Sequence, residues 1–290
     1  MAIEYLIGVD GGGSGTRVRV VAAQGGRVLG QGHAGPSGLS QGVAQAWTHI
    51  DAAIAMAFDA APPAPARCAL GLGLAGVHDA ALRNAFLQAA PAFAALVVET
   101  DGHTALIGAH GGAPGVVLAA GTGSVGEVLR ANGERASAGG WGFPAGDEGS
   151  GAWLGLRAMA LAQQALDGRA RAAALARAVW RHTAADEASL RRWLADAGQQ
   201  RYAELAPLVF EHENADPAAA ALLERAVGAL EELALALDGS RTLPVAVVGS
   251  IGQRLAPRLN PALRARSVAP AGDAIDGALQ LVRRACVSSA

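Results

Sequence analysis

Two short apolar runs open the chain. Ile3 to Val9 is apolar and β-branched, and Thr16 to Val21 alternates polar with apolar at a period near two, so both predict strands. Between them lies a run of small residues, Gly11 to Gly15, entered by Asp10, and small residues there predict a turn. A second tight turn at Gln24-Gly25 leads into a third strand, which completes a β-meander. Beyond it Val43 to Phe58 has helical spacing, Cys68 to Leu74 reads as a buried strand, Asp79 to Gln88 as a helix, Ala95 to Thr100 as a strand, and a further helix begins near His103. The order is βββαβαβ and then a helix.

This opening recurs. Gly13-Ser14-Gly15-Thr16 returns 108 residues later as Gly121-Thr122-Gly123-Ser124, and at the same offset Val20 lands on Val128, Gln24-Gly25 on Asn132-Gly133, Arg27 on Arg135, Gly32 on Gly140 and Pro36 on Pro144. Two related meanders therefore start two related lobes. The second lobe carries the same plan with an inserted helical bundle. Ser150 to Leu166 is helical, Arg171 to Asp238 is almost continuously so with breaks near Asp186, Gly198 and Pro217, and Pro244 to Val248 is a strand. We expect an N-terminal lobe over residues 1–115 and a C-terminal lobe over 116–290 with the insertion at 171–238, while a terminal helix, 274–285, crosses back to the first lobe.

A glycine run between two strands excludes the common phosphate loops, since both the Walker loop and the dinucleotide fingerprint need a helix after the glycines. Composition excludes more. All 23 basic residues are arginines, so a Walker lysine, a protein-kinase strand lysine and a Schiff-base lysine are ruled out. Glycine turns need none of these to hold phosphate. Successive main-chain N–H groups form an anion nest, and glycine allows both the positive φ angles and the close approach of phosphate oxygens. A glycine-rich hairpin alone is more often a tight turn than a phosphate site; its duplication favours two phosphate-binding turns facing one another across a cleft. Asp10 has no acidic counterpart, because its equivalent is Leu118, and we expect it to hold Mg²⁺ through the ion's water shell.

A net charge of -2 with scattered arginines gives no reason to expect nucleic acid or a membrane surface as partner. Two cysteines, Cys68 and Cys286, make no disulfide framework and fit a reducing compartment. The first residues lack a basic signal-peptide region, and every apolar stretch of membrane-spanning length is broken by glycine, proline or charge. These features lead us to expect a cytoplasmic protein.

Several side chains remain as candidate chemistry. Asp101 ends the strand A-A-L-V-V-E-T and precedes a helix, so it reads either as an N-cap or as a general base at the carboxyl end of a strand, where open α/β sheets bind ligands. Asp147, in G-G-W-G-F-P-A-G-D-E-G-S-G, reads either as a helix-terminal carboxylate or as an acceptor for sugar hydroxyls. Gly249-Ser250 follows the last strand and offers exposed backbone to an adenine ring. No histidine pair has metal-ligand spacing, and Ser14, Ser124, Ser150 and Ser250 each lack a flanking glycine of the G-x-S-x-G elbow. Asp101 with Asp147 as a glycosidase pair would leave the duplicated turns without a role.

With I-G-V-D-G-G-G-S-G-T-R-V-R, L-G-L-A-G-V, E-T-D-G-H-T-A-L-I-G-A-H, A-A-G-T-G-S-V-G-E-V, the segment from Gly139 to Leu156, V-V-G-S-I-G-Q-R-L and D-A-I-D-G-A-L in this order, the chain resembles the bacterial glucosamine and N-acetylglucosamine kinases among the BadF/BadG-type ATPases. The resemblance spans nearly the whole length. It implies an α/β fold of two RNase H-like lobes of the actin and hexokinase type with a nucleotide cleft between them, and ATP with Mg²⁺ as cofactors. It also implies phosphate contacts from Gly11, Gly12, Gly13, Ser14 and Thr16 and from Gly121, Thr122, Gly123 and Ser124, with Gly249 and Ser250 at the adenosine. By the same resemblance Asp10 serves the metal, Asp101 is the base for the 6-hydroxyl of an amino sugar, and Gly76, Asp101 and Asp147 contact the sugar. In one place the chain departs from its relatives: where they carry an asparagine after the third strand, it has P-S-G-L-S-Q-G, with Gly38 in that place. A homodimer is compatible with all of this. Two other readings keep the fold: an ATPase activator of a partner enzyme, which in this group depends on a cysteine-bound cluster, and a non-catalytic sugar sensor.

Overall fold

The computed structural model describes residues 2–58, 61–184 and 186–288. The chain divides into two compact units, Met1–Gly115 with Leu129–Gly133 and Ala269–Ala290, and Val116–Val128 with Glu134–Val268.

Unit 1 is built on β1 (Tyr5–Gly11), β2 (Thr16–Ala22), β3 (Val28–Ala34), α1 (Val43–Phe58), β4 (Cys68–Leu74), α2 (Ala80–Gln88), β5 (Ala95–Glu99) and α3 (Asp101–His110). Its sheet runs β3-β2-β1-β4-β5, with the meander antiparallel and β1, β4 and β5 parallel. Strand alternation sorts the side chains between two faces. Ile7, Val9, Val18 and Val20 pack with Leu70 and Leu72 against Trp47 and Ile50 of α1 and Phe86 of α2. Leu6, Val21 and Ala69 face the other way. They pack on Ile275, Leu279 and Val282 of a terminal helix that belongs to this unit.

β1 ends two residues later than the β-branched run suggested. Its register continues through Asp10↔Arg17 and Gly11↔Thr16 on β2, because hairpin pairing holds residues that intrinsic strand propensity would release. α3 begins at Asp101 instead of near His103. The Thr100 hydroxyl accepts the His103 N–H at 3.1 Å, so Thr100 is the N-cap and Asp101 is left free of that duty.

Unit 2 comprises β6 (Gly115–Ala120), β7 (Ser124–Leu129), β8 (Arg135–Gly139), α4 (Gly151–Leu166), α5 (Ala174–Thr183), α6 (Glu187–Asp196), α7 (Gln199–Ala203), α8 (Ala206–Glu211), α9 (Pro217–Leu237), β9 (Val245–Val248), α10 (Ser250–Leu255) and α11 (Pro261–Ala265). Its sheet order is β8-β7-β6-β9, with β9 parallel to β6. The core lies between β6 and the helices, where Val116 and Leu118 meet Trp153 and Met159 of α4 and Leu223 and Leu230 of α9. Asp186 and Asp216 cap α6 and α9, which places the breaks in the helical stretch where the sequence put them.

The second unit repeats the first incompletely. The counterpart of β5 shrinks to an isolated parallel bridge, Val245↔Ser267, with Val268 N–H donating to Val245 O at 2.8 Å. Its segment, R-S-V-A-P, has one large apolar residue and stops at a proline that cannot donate, so it cannot extend a ladder. The chain then returns to unit 1 as α12 (Ala274–Ser288). α12 lies almost on the sheet: a Cβ added to Gly71 of β4 would meet the Ala278 carbonyl oxygen at 2.2 Å. Among the described residues no helix is long and apolar enough to cross a membrane.

Candidate functional site

In unit 1 the glycine turn lies between the carboxyl end of β1 and the start of β2. Gly12 N–H donates to Gly15 O at 3.0 Å, which closes the turn. The turn's carbonyl groups are drawn inward: Gly12 O accepts the N–H groups of Ser37 and Gly38, each at 3.1 Å, and Gly13 O accepts the Gln41 side-chain amide at 3.0 Å. Among the described residues no acceptor meets the N–H groups of Gly13, Ser14 or Gly15. Carbonyls bound and amides without a partner suit an anion, although, against the expectation from the sequence, none of the glycines from Gly11 to Gly15 lies at positive φ. Ser14 is exposed, whereas Thr16 is buried at 1% exposure, with its hydroxyl bonding the Gly35 carbonyl (2.6 Å) and the Ser37 hydroxyl (2.7 Å). Thr16 thus ties the turn to the loop after β3. Gly11 is required there, since a Cβ would sit 2.1 Å from Ser37 Oγ.

The same strand ends bring the unit 1 carboxylates together. Asp10, Gly73 and Glu99 lie in register across β1, β4 and β5, and Asp101 follows at the first position of α3. Asp101 Oδ1 accepts the Gly102 N–H at 2.9 Å. Its pKa is raised above the ordinary carboxylate value, mainly by burial and further by the charge of Asp10, against the Gly102 hydrogen bond and the opposing charge of His78. Asp10 pairs through Oδ2 with Arg17 (2.5 Å), and Oδ1 stays outside that pair. Gly76, at φ 88°, and Gly38 belong to the same set of loops: Ala75 N–H donates to Gly11 O and Leu39 N–H to Ala75 O, both at 2.9 Å. Ser37, Gln41, Arg17 and His78 were not read from the sequence, since each is a common polar residue given its place by loop packing.

Unit 2 builds its turn from the same parts. Gly121 N–H donates to Gly123 O at 2.9 Å, and the carbonyls of Gly121 and Thr122 are taken by Gly151 N–H (2.8 Å) and Ala152 N–H (3.1 Å) in the first turn of α4. Among the described residues no acceptor meets the N–H groups of Thr122 and Gly123. Ser124, equivalent to Thr16, is likewise buried, and its hydroxyl donates to Glu148 O at 2.7 Å. Leu118, equivalent to Asp10, is core. Asp147 lies beneath this turn at φ 62°, 4% exposed. Its Oδ1 accepts Ser124 N–H at 3.2 Å and its Oδ2 the Gln199 side-chain amide at 2.7 Å, so both oxygens are engaged within unit 2. Burial raises its pKa, helped by the charge of Glu148 and opposed by those two hydrogen bonds. Gly249 sits at φ 85° at the end of β9, where a Cβ would lie 2.3 Å from Ala120 O. Gly249 and Ser250 are therefore neighbours of the second turn.

Unit 1 thus gathers Asp10 to Thr16, Gly38, Gly76 and Asp101, and unit 2 gathers Gly121 to Ser124, Asp147, Gly249 and Ser250. A cavity of about 1070 Å³ in unit 1, lined by Arg19, Val28, Leu279 and Arg283 among others, contains none of them.

Two α/β units that each open with an antiparallel meander and a main-chain turn, then add parallel strands, define a protein of the actin and hexokinase type. Residues 7–256 match the BadF/BadG/BcrA/BcrD ATPase family, and the chain belongs to that family. It is 34% identical over 281 residues to the glucosamine kinase GspK of Vibrio cholerae, covering 96% of this chain and 95% of that one. A solved structure from Chromobacterium violaceum, provisionally described as an N-acetylglucosamine kinase, is 47% identical with a TM-score of 0.94, over 97% of this chain and 99% of its own. A ROK family glucokinase from Streptomyces griseus, solved with glucose and AMPPNP, shares the fold at a TM-score of 0.55 and 19% identity, over 97% and 99% of the two chains.

Proposed function

We propose that this protein is an ATP-dependent amino-sugar kinase that phosphorylates the 6-hydroxyl of glucosamine or N-acetylglucosamine. The single observation that carries the reading is the duplicated turn with its carbonyls bound and its amides without an acceptor among the described residues, accompanied in unit 1 by a desolvated carboxylate at the end of a parallel strand. A glycine turn alone would indicate only an anion. Asp101 adds a base, and relatives over nearly the full length that are named for amino-sugar phosphorylation supply the substrate class.

In this mechanism the amides of Gly13 to Gly15 and of Thr122 and Gly123 take the phosphate oxygens, and Gly249-Ser250 offers backbone to the adenosine. Thr16, Ser124 and Asp147 hold the turns in shape from below, which assigns Asp147 to the turn in addition to the sugar contact expected from its family. Asp101 accepts the proton of the sugar hydroxyl as its oxygen attacks the γ-phosphorus, and the bond to ADP breaks. Burial and Asp10 raise the proton affinity of Asp101, which suits a base better than an ordinary surface carboxylate. Positioning and charge neutralisation supply most of the acceleration, since phosphoryl transfer asks little covalent chemistry of the protein.

Mg²⁺ fits the residues present. Among the described residues there is no cluster of three acidic, histidine or cysteine ligands, and Mg²⁺ characteristically takes one or two carboxylates with phosphate oxygens and water. Asp10, with Oδ1 outside its pair with Arg17, would hold it. When bound, the ion neutralises charge on the phosphates.

A coupled ADP-release assay across glucosamine, N-acetylglucosamine, N-acetylmannosamine and glucose tests class and substrate together. Turnover confined to the amino sugars is the expected result. Sugar binding by calorimetry with no ADP release would replace this reading with that of a sensor. The activator reading has little support, because Cys68 is buried on β4 at 2% exposure and Cys286 lies on α12.

A further inference from the structure

The helices between β8 and β9 carry no role in the mechanism above, yet one of them touches its machinery. α7 opens with two consecutive glutamines, and each bonds a different part of the second glycine turn. Gln199 Nε2 donates to Asp147 Oδ2 at 2.7 Å, and Asp147 Oδ1 in turn accepts the Ser124 N–H at 3.2 Å. Gln200 Oε1 accepts from the Thr122 hydroxyl at 3.3 Å. The turn is therefore held at Thr122 directly and at Ser124 through one carboxylate.

α7 is itself seated firmly. A Cβ on Gly155 of α4 would meet the Tyr202 carbonyl oxygen at 1.8 Å, so the two helices pack backbone to backbone there. Tyr202 is buried between Trp193 of α6, with ring centroids 5.1 Å apart, and Phe143, at 5.2 Å. Since α4 supplies the amides that bind the Gly121 and Thr122 carbonyls, α4 and α7 clamp the turn from two sides.

We propose that Gln199 and Gln200 are positioning residues that preorganise the second turn for the phosphates of the nucleotide. This rests on the kinase reading above. A turn containing Gly121 and Gly123 has more backbone freedom to lose than one built without glycine, and N–H groups aimed in advance bind an anion without that ordering cost at the moment of binding. The glutamine amide suits both tasks. It donates to the Asp147 carboxylate, accepts from the Thr122 hydroxyl, and adds no charge that would compete for phosphate. Asp147, a non-glycine residue at positive φ, keeps that conformation because Ser124 and Gln199 both bind its carboxylate.

Gln199→Ala and Gln200→Ala, separately and together, test the idea in the full-length protein. Gln200 is exposed and alanine favours helix, so that variant folds in any case. The expected result is a KM for ATP raised roughly tenfold by loss of a hydrogen bond to a charged or preorganised group, with kcat unchanged and, in Gln200→Ala, whose partner is Thr122 and not Asp147, the KM for the sugar unchanged as well. Calorimetry should show weaker ADP binding and unaltered adenosine binding. A purely structural role would move sugar, ADP and adenosine affinities alike, and that pattern overturns the proposal. An unchanged KM for ATP in the double variant overturns it as well, with the kinase reading intact. Wild-type protein that releases no ADP with any amino sugar overturns the kinase reading and this inference with it.

Discussion

Replacing Asp101 by asparagine should abolish most turnover while leaving the fold intact. Asparagine keeps an oxygen where Asp101 Oδ1 accepts the Gly102 N–H, and the start of α3 is secured separately by Thr100. What disappears is the proton acceptor, and a positioned base contributes about 10²–10⁴-fold, or about 3–5 kcal/mol of barrier. Stability should move the opposite way. Asp101 has a folded-state pKa above its unfolded one, so its ionisation at neutral pH disfavours the folded state, and that penalty vanishes as pH falls below the ordinary carboxylate value. The asparagine variant should therefore melt at or above the wild-type temperature at pH 7, with the difference closing under acid. The acidic limb of kcat/KM, followed by coupled ADP release, should lie above the pH of an ordinary carboxylate. His78→Gln removes an opposing positive charge, so it should move that limb to higher pH. Asp101→Asn protein that retains wild-type turnover would sink the assignment, and a limb displaced to lower pH by His78→Gln would refute the electrostatic account.

Thr16→Val is close to isosteric and strands the Gly35 carbonyl and the Ser37 hydroxyl, so it should lower stability by about 1–3 kcal/mol in urea unfolding and weaken ATP binding. Gly249→Ala meets both the positive φ and the Ala120 carbonyl; it should reduce ADP affinity in calorimetry and leave the sugar KM unaltered. Asp238 is buried, which alone would raise its pKa, but hydrogen bonds from Ser240, Leu243 N–H and Arg266 hold it below the ordinary value. Its stabilising contribution is thus present above the unfolded pKa and lost as pH falls through the folded one; Arg266→Met should cost about 3 kcal/mol at pH 7 and flatten the acid limb of the stability profile. Gly38→Asn places a Cβ at ordinary contact distance, 3.5 Å from Gly12, so it should fold normally and raise the preference for N-acetylglucosamine over glucosamine in competing assays.

The α/β class, the strands of both meanders and the candidate residues were legible because their signals are local. Strand periodicity, glycine turns and a motif repeated at constant offset survive in one dimension, as does the absence of lysine. Thr16 illustrates the limit. The motif marks it as a phosphate ligand, but only the folded loop shows its hydroxyl turned inward to Gly35 and Ser37. Asp147 is similar, for its pattern gives a carboxylate near a helix while the partners of that carboxylate are Ser124 and, across 52 residues of chain, Gln199.

The sequence by itself determined the periodic elements, the repeated glycine turns, the exclusion of lysine-based chemistry and the family to which the chain belongs. Tertiary structure decided which hydroxyls brace a turn, that Thr100 caps α3 and frees Asp101, that the fifth strand of unit 2 dwindles to a bridge, and that α7 grips the second turn. Local propensities and motifs are properties of neighbouring residues. Hydrogen-bond partners and burial depend on segments that meet only after the chain has folded, and their pairing leaves no periodic trace to read beforehand.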